Sequence, residues 1–174
     1  MNEAKEIYNL IVEAGKQLNL SHCGMLAMDT MRMETGYLHW GHDISPEENQ
    51  YQAGLEFAIS YKKNIDFVGK ESLLKFKDKK DNKKFVMLTL NDSKPGKPLL
   101  LHDEPIYNDK GIIGRTTSGN FSFNYNKNLA FGYVKSELSK EDLAKENLFI
   151  EVEKKKYPAS IILKPLNSRD IRTI

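Results

Sequence analysis

The residues best suited to chemistry lie in one short segment, residues 31–43 of the 174-residue chain. It reads Met-Arg-Met-Glu-Thr-Gly-Tyr-Leu-His-Trp-Gly-His-Asp, so carboxylates, imidazoles and large aromatic rings alternate with glycines. A carboxylate such as Glu34 can accept two parallel N–H bonds from the guanidine-like edge of a pterin. Tyr37 and Trp40 can stack on such a ring and exclude water, which strengthens neighbouring charged hydrogen bonds. The segment therefore predicts a site for a planar, nitrogen-rich ligand.

The same segment has a plainer interpretation. An Arg-x-Glu pair beside aromatic residues, here Arg32 and Glu34, is more often a surface ion pair above a core than a ligand site. His39 and His42 lie three residues apart without a convincing third ligand, and a structural metal site usually has four, so we expect no metal. The residue types alone leave the choice between ion pair and ligand site open.

Two predicted helices position this segment. From Ala4 to Leu18 the apolar residues recur at spacings of three and four, which predicts an amphipathic helix at the start of the chain. Residues 24–34 are mostly good helix formers, and Gly36 follows where a left-handed residue commonly ends a helix. We therefore expect a second helix that ends near Glu34.

Further elements are predicted beyond the segment. The alternation from Leu55 to Tyr61 predicts a half-buried strand, and a helix is expected from Gly69 to Phe76. Residues 77–84 contain no apolar side chain, which predicts an exposed linker and a domain boundary. Six short strands with close spacing then predict a small barrel or sandwich. They are residues 85–90, 98–101, 111–117, 129–134, 148–153 and 159–163.

Composition limits the class of protein. Hydrophobic residues make up 40% and charged residues 29%, the ordinary balance of a soluble globular chain. The net charge of +2 gives no electrostatic case for a nucleic-acid partner. Cys23 is the single cysteine, so an internal disulfide is impossible, and we expect a small buried side chain in a reducing compartment. The start of the chain has no signal-peptide pattern, and no apolar run reaches the ~20 residues of a membrane span, which predicts a cytoplasmic protein.

Several motifs spread along the chain resemble one family, the glycine cleavage T-protein or aminomethyltransferase. In the first half of this chain, one motif is similar to the family's motif around the folate-binding glutamate. In the second half, the motifs resemble the family's carboxyl-terminal barrel domain. The motifs are Gly24-x-x-Ala27-x-x-x-x-Arg32-x-Glu34-x-Gly36, Gly41-x-Asp43, Ala53-Gly54-Leu55, Asp66-Phe67-x-Gly69-Lys70-x-x-Leu73, Gly111-x-x-Gly114-x-x-Thr117-Ser118-Gly119 and Ala130-x-Gly132-Tyr133-Val134.

The resemblance implies an α+β fold in two parts. Residues 1–76 are expected to form the carboxyl-terminal portion of the folate-binding aminomethyltransferase domain, and residues 77–84 a linker. Residues 85–174 are expected to form a small six-stranded β-barrel or jelly-roll-like domain. The string Gly36-Tyr37-x-x-Trp40-Gly41-x-Asp43 looks closer to the folate domains fused behind flavin-dependent sarcosine and dimethylglycine dehydrogenases than to the stand-alone T-protein.

The resemblance also implies roles for individual residues. Glu34 matches the carboxylate that grips the pterin of tetrahydrofolate, and Lys63 lies where the family commonly has an arginine near the cofactor. Tyr37 and Trp40 are carried over as pocket lining, whereas Asp43 is expected to fix a loop through hydrogen bonds to backbone. None of these residues is implied as a catalytic nucleophile.

The chain departs from the family in three places. Residues 49–52, Asn-Gln-Tyr-Gln, replace the family's Thr-Pro-x-Glu, and Leu38 replaces an arginine common in the dehydrogenase branch. The family's folate-binding portion also begins far earlier and contains an aspartate that helps to position the reacting folate nitrogen. No residue here replaces that aspartate, so we expect only part of the active site.

These observations predict a folate-dependent one-carbon transfer subunit. It would take part in the transfer from an amine donor such as glycine, sarcosine or dimethylglycine to tetrahydrofolate, with a partner chain supplying the front half and any flavin. The alternative is a non-catalytic remnant or interaction module that keeps the fold, for which self-association as a homodimer is expected. The related tRNA-modification branch is disfavoured because its Lys-Gly-Cys-Tyr signature is absent.

Overall fold

The computed structural model describes residues 3–63, 65–79, 82–92 and 94–167. Within them the chain forms a helical front segment followed by a sheet. The helices are α1 (Glu3–Gly15), α2 (Met25–Glu34), α3 (Lys70–Asp78) and α4 (Lys140–Leu143). The strands are β1 (Lys83–Leu90), β2 (Pro105–Asn108), β3 (Gly111–Ser122), β4 (Lys127–Lys135), β5 (Leu148–Val152) and β6 (Lys155–Ile162).

The six strands close into an antiparallel barrel, as the sequence predicted. Their order around the barrel is β1-β4-β3-β2-β5-β6, and β6 returns to pair with β1. Closure leaves no unpaired strand edge. Alternate residues of the strands fill the interior, among them Leu88, Ile106, Val134 and Ile150, each fully buried.

One predicted strand is wrong and another was missed. Residues 98–101 form a loop, in which Leu100 is buried while Leu99 and Leu101 are more than half exposed. The segment begins with Pro98, which has no N–H to donate to a ladder. The sixth strand is instead β2, which is only four residues long and begins at Pro105, the position in a strand that tolerates proline. Four residues are too few to show the alternation of side chains that predicts a strand.

The strand predicted from Leu55 to Tyr61 is also wrong. Its centre, Glu56–Ala58, is a turn of 3-10 helix, and Phe57 is 74% exposed. Alternation of side chains does not supply a pairing partner for the backbone, and the segment pairs with no strand among the described residues. The helix predicted from Gly69 is confirmed as α3, although Leu74 and Phe76, expected to face a core, are about two-fifths exposed.

The first two helices are confirmed within a few residues of their predicted bounds. Among the described residues, α1 does not pack closely on any barrel strand, and Ile7, Leu10 and Ile11 remain more than half exposed. Cys23 is exposed rather than buried, because it lies in the loop before α2. In contrast, α2 packs against β3 and β4.

The domain division at residues 77–84 stays a prediction. The helix before it continues to Asp78 and β1 begins at Lys83, so both ends of the predicted linker belong to regular elements. Residues 80–81 and 168–174, within the predicted linker and second domain, lie outside the described residues. None of the described helices is long and apolar enough to cross a bilayer.

Candidate functional site

Helix α2 carries the candidate site, and its rotation is fixed by the barrel. Met33 is 1% exposed and packs with Phe85, Phe131 and Tyr133 between the helix and the strands. Full burial of a side chain of this kind stabilises a fold by about 1.5–3 kcal/mol. Glu34, the last residue of α2, also reaches the barrel, where its side chain contacts the end of β3.

Glu34 is almost completely buried, with 3% of its surface exposed. Its Oε1 accepts a hydrogen bond from Ser122 Oγ at 2.5 Å, and its Oε2 accepts one from Asn124 Nδ2 at 2.8 Å. The backbone carbonyl of Glu34 accepts from the N–H of Asn167 at 2.8 Å. No described cationic side chain forms an ion pair with this carboxylate. A carboxylate offers about four acceptor positions, so two are left for additional N–H donors.

Arg32, two residues before Glu34 on α2, is engaged at all three of its nitrogens. Its Nε donates to Asp29 Oδ1 at 2.7 Å, its Nη1 to Asp43, and its Nη2 to Ser118 Oγ at 2.7 Å. The guanidinium also lies over the ring of Phe131, 5.4 Å from its centroid. The plainer interpretation expected an ion pair between Arg32 and Glu34. That pairing is wrong, because Arg32 pairs with two aspartates and not with Glu34.

Asp43 joins the loop after α2 to the barrel. It is 1% exposed, and its Oδ1 accepts from Thr117 Oγ1 at 2.5 Å and from Ser118 Oγ at 2.8 Å. Its Oδ2 accepts from Arg32 and from the backbone N–H of His39 at 2.9 Å. The expected bond from Asp43 to loop backbone is thus present. The additional bonds to β3 lock the loop against the barrel.

Tyr133, on β4, also attaches the loop after α2 to the barrel. Its hydroxyl donates to the backbone carbonyl of Asp43 at 2.9 Å. Burial, followed by the negative charges of Glu48 and Asp43, raises the pKa of Tyr133 far above its ordinary value. The phenol therefore stays protonated, and able to donate this hydrogen bond, at neutral pH.

The structure does not gather the four predicted binding residues around one cleft. Glu34 is sheltered, but by Ser122 and Asn124 and not by aromatic rings. Tyr37 and Trp40 are 53% and 67% exposed, and Lys63 is exposed. Their stacking and charge roles therefore stay predictions. The described residues fit tetrahydrofolate in one respect, because they provide a buried carboxylate with free acceptor positions. They do not provide aromatic rings already arranged to stack on a pterin.

A cleft of about 590 Å³ lies on the other side of α2, between that helix and the loop before β2. None of the four predicted binding residues lines it. Its walls are largely apolar, with imidazoles at one side. They include Met25, Leu26, Met28, Leu38, His39, His42, Leu99, Leu101 and His102. Among the described residues, no group of three or more histidine, cysteine or acidic side chains is arranged to hold a metal ion.

Ser122 and Asn124 are the site residues that the sequence did not indicate. They are 88 and 90 residues away from Glu34 along the chain. Ser122 ends β3, and Asn124 lies in the turn that follows it. Short polar residues in a turn predict only the turn itself, so no local signal relates them to a distant helix.

Comparison with known proteins covers both parts of the chain. The family pattern described as the GCVT N-terminal domain matches residues 1–63, and the glycine cleavage T-protein C-terminal barrel domain matches residues 83–167. The mitochondrial dimethylglycine dehydrogenase of Homo sapiens is 34% identical over 162 residues, which is 92% of this chain and 18% of that protein. The aminomethyltransferase of Symbiobacterium thermophilum is 34% identical over 131 residues, 74% of this chain and 33% of that protein.

A solved structure supports the fold. The glycine cleavage system aminomethyltransferase T from Bartonella henselae superposes with a TM-score of 0.76 at 24% identity, over 91% of this chain and 43% of that chain. This chain thus spans from about a fifth to less than half of the length of these similar proteins.

Proposed function

The chain belongs to the glycine cleavage T-protein family, and we propose that it forms the carboxyl-terminal part of a tetrahydrofolate-binding, aminomethyltransferase-type module. Such a module transfers a one-carbon unit from an amine donor, for which glycine, sarcosine and dimethylglycine are the candidates, to tetrahydrofolate. In this proposal Glu34 binds the pterin, and the barrel holds Glu34 in place. The rest of the folate site is contributed by a partner chain, which also holds any flavin.

The observation that supports this proposal best is the state of the Glu34 carboxylate. Burying a charged group without a counter-ion is costly, and two neutral donors offset that cost only in part. The N3 and 2-amino edge of a pterin presents two parallel N–H donors, which match the two acceptor positions that Ser122 and Asn124 leave unused.

The proposal also assigns ligand contacts to Tyr37, Trp40 and Lys63. Tyr37 and Trp40 are exposed, so their rings are free to cover a heterocycle that reaches Glu34 from the same loop. Lys63 is a solvent-accessible cation suited to the carboxylates of the folate tail. Orientation and preorganised electrostatics, and not a covalent nucleophile, are what these side chains can contribute.

A second candidate function is a non-catalytic interaction module. The observation that favours it is the face of α1, where Ile7, Leu10 and Ile11 are 54–71% exposed with no described element covering them. An apolar helix face of this kind indicates association with another chain or with a second copy. Such association is also required by a partner-completed folate site, so the measurement that separates the two functions is ligand binding.

Calorimetric titration with tetrahydrofolate under reducing conditions tests the proposal. It is performed on the chain alone and on the chain mixed with the amino-terminal folate segment of an aminomethyltransferase. We expect binding in the mixture, and Glu34→Ala should weaken it by roughly 2–4 kcal/mol, the value of a pair of hydrogen bonds to a charged group. The matched control is Glu47→Ala, which removes an exposed carboxylate and should leave the affinity unchanged.

Because Glu34→Ala also leaves Ser122 and Asn124 without their acceptor, the melting temperature of each variant is measured in parallel. Glu34→Gln keeps the side-chain shape and removes the charge, which separates misfolding from loss of recognition. If the mixture binds tetrahydrofolate equally well with and without the Glu34 carboxylate, the assignment is wrong. If neither sample binds, the interaction-module function is favoured.

A further inference from the structure

A second cleft, away from Glu34, concentrates positive charge. It has a volume of about 380 Å³ and lies between the carboxyl end of α3, the start of β1 and the start of α4. Five lysines and two glutamates line it, whereas the whole chain carries a net charge of only +2. These residues are Lys77, Lys79, Lys83, Lys84, Lys140, Glu56 and Glu141.

Two of the lysines are held rigidly, in different ways. Lys83 Nζ forms an ion pair with Glu48 at 2.5 Å, so its charge is largely compensated. Lys84 Nζ instead donates to two backbone carbonyls, that of Ser136 at 2.7 Å and that of Leu138 at 2.6 Å. Carbonyl groups fix the ammonium without neutralising it. Lys84 therefore keeps its full charge and one unused N–H donor.

Lys140 supplies a second cation to the cleft. It is half-buried, and among the described residues its ammonium forms no hydrogen bond and no ion pair within 4 Å. Burial lowers the pKa of Lys140, Glu56 and Glu141 act in the opposite direction, and the positive charge of Lys84 lowers the pKa further. Two neighbouring ammonium groups that repel one another, one of them partly desolvated, favour an anion between them.

From this arrangement we propose that the cleft binds a small anion with two or more negative groups. Lys84 and Lys140 make the inner contacts, and the exposed Lys77 and Lys79 contribute charge at the entrance. The concave shape and the two carboxylates in the wall disfavour an extended phosphate backbone, which would meet both glutamates. A compact polycarboxylate or polyphosphate is small enough to bind between Lys84 and Lys140 without spanning the whole cleft. This site is independent of Glu34 and of the folate proposal.

Titration calorimetry at low ionic strength tests the site, with inorganic tripolyphosphate and γ-linked triglutamate as separate probes. Lys140→Gln is expected to weaken binding of the better probe by roughly five- to tenfold, as loss of one partly desolvated charge-assisted contact would. The matched control is Lys127→Gln, which removes the same charge from an exposed residue at the start of β4 and should change the affinity by less than about twofold.

Stability measurements exclude a trivial loss of folding. Lys140→Gln removes a partly buried cation, so its melting temperature should equal or exceed that of the wild type. The affinity ratio of the two probes identifies which anion chemistry the cleft prefers. Equal weakening by Lys127→Gln and Lys140→Gln would mean that the attraction is only the general charge of the protein, and absence of binding of both probes to the wild type would also overturn the proposal.

Discussion

Replacement of Asp43 by alanine should detach α2 and its following loop from the barrel. Asp43 is buried and its two carboxylate oxygens receive four hydrogen bonds, from Arg32, His39 N–H, Thr117 and Ser118. The substitution leaves the Arg32 guanidinium with one carboxylate partner, Asp29, which is itself partly exposed. We therefore expect a large loss of stability, with α2 affected before the barrel.

The size of the expected stability loss follows from the burial of the ion pair between Arg32 and Asp43. Each hydrogen bond to a charged group is worth about 1.5–3 kcal/mol, but four of them on one carboxylate do not add, because they share one desolvation cost. Removal of one partner of a buried ion pair typically costs about 3–5 kcal/mol. For a chain of this length, 1 kcal/mol corresponds to about 2–4 °C, so the melting temperature should fall by about 6–20 °C.

The single tryptophan makes the assay specific. Trp40 lies in the loop that Asp43 holds, whereas far-ultraviolet circular dichroism reports on all the helices and strands together. In the wild type, urea unfolding followed by tryptophan fluorescence and by circular dichroism should coincide. In Asp43→Ala the fluorescence transition should come at lower urea. Asp92→Ala, which removes an exposed carboxylate, is the control. A loss below about 1 kcal/mol, or coincident transitions in the variant, would refute the reasoning.

Two further substitutions test the barrel and its charges. Gly114→Ala should cost at least about 3 kcal/mol in chemical denaturation, since an added Cβ would lie 2.0 Å from the carbonyl oxygen of Tyr133, whereas Ile112→Ala on the same strand, 65% exposed, should stay within about 1 kcal/mol. Glu48→Gln should reduce the acid sensitivity of unfolding. Burial acts to raise the pKa of Glu48, but bonds from Lys83 and Ser45 outweigh it, so the folded pKa lies below the ordinary 4.5. Its stabilisation is complete above pH 4.5 and is lost as the pH falls through the folded pKa, so in urea unfolding between about pH 6 and 3 the wild type should lose more stability than Glu48→Gln. Equal pH slopes would contradict the assignment.

Local patterns predicted the helices well because a helix satisfies its own backbone. The run of good helix formers and the terminal Gly36 placed α2 within one residue of its observed bounds. A strand needs a distant partner, which the pattern does not specify. Residues 55–61 alternate as a strand does and yet form a turn and loop, while the four residues of β2 pair on both sides with almost no pattern. The sequence therefore predicted that a small barrel forms, but it predicted only some of the residues that make up the strands.

The site shows the same limit at the level of side chains. Glu34 and Asp43 were both singled out from the sequence, but the groups of the barrel that bind them come from 74–90 residues further along the chain. Nothing in the local sequence relates Ser122 to Glu34 or Thr117 to Asp43. The exposure of Tyr37 and Trp40 was equally unpredictable, because aromatic residues near glycines are compatible with a buried pocket and with an open loop.

The contacts of β3 indicate that the barrel determines the geometry of the candidate site. Residues Thr117 and Ser118 hold Asp43, Ser118 also holds Arg32, and Ser122 at the end of the same strand holds Glu34. A strand is stiff, so these anchoring points keep a fixed separation of four to five residues. The position of the Glu34 carboxylate relative to its loop is thus set by β3 and not by α2 alone. Substitutions at Leu38, which touch none of these anchors, should alter the site less than a shift in β3 register would.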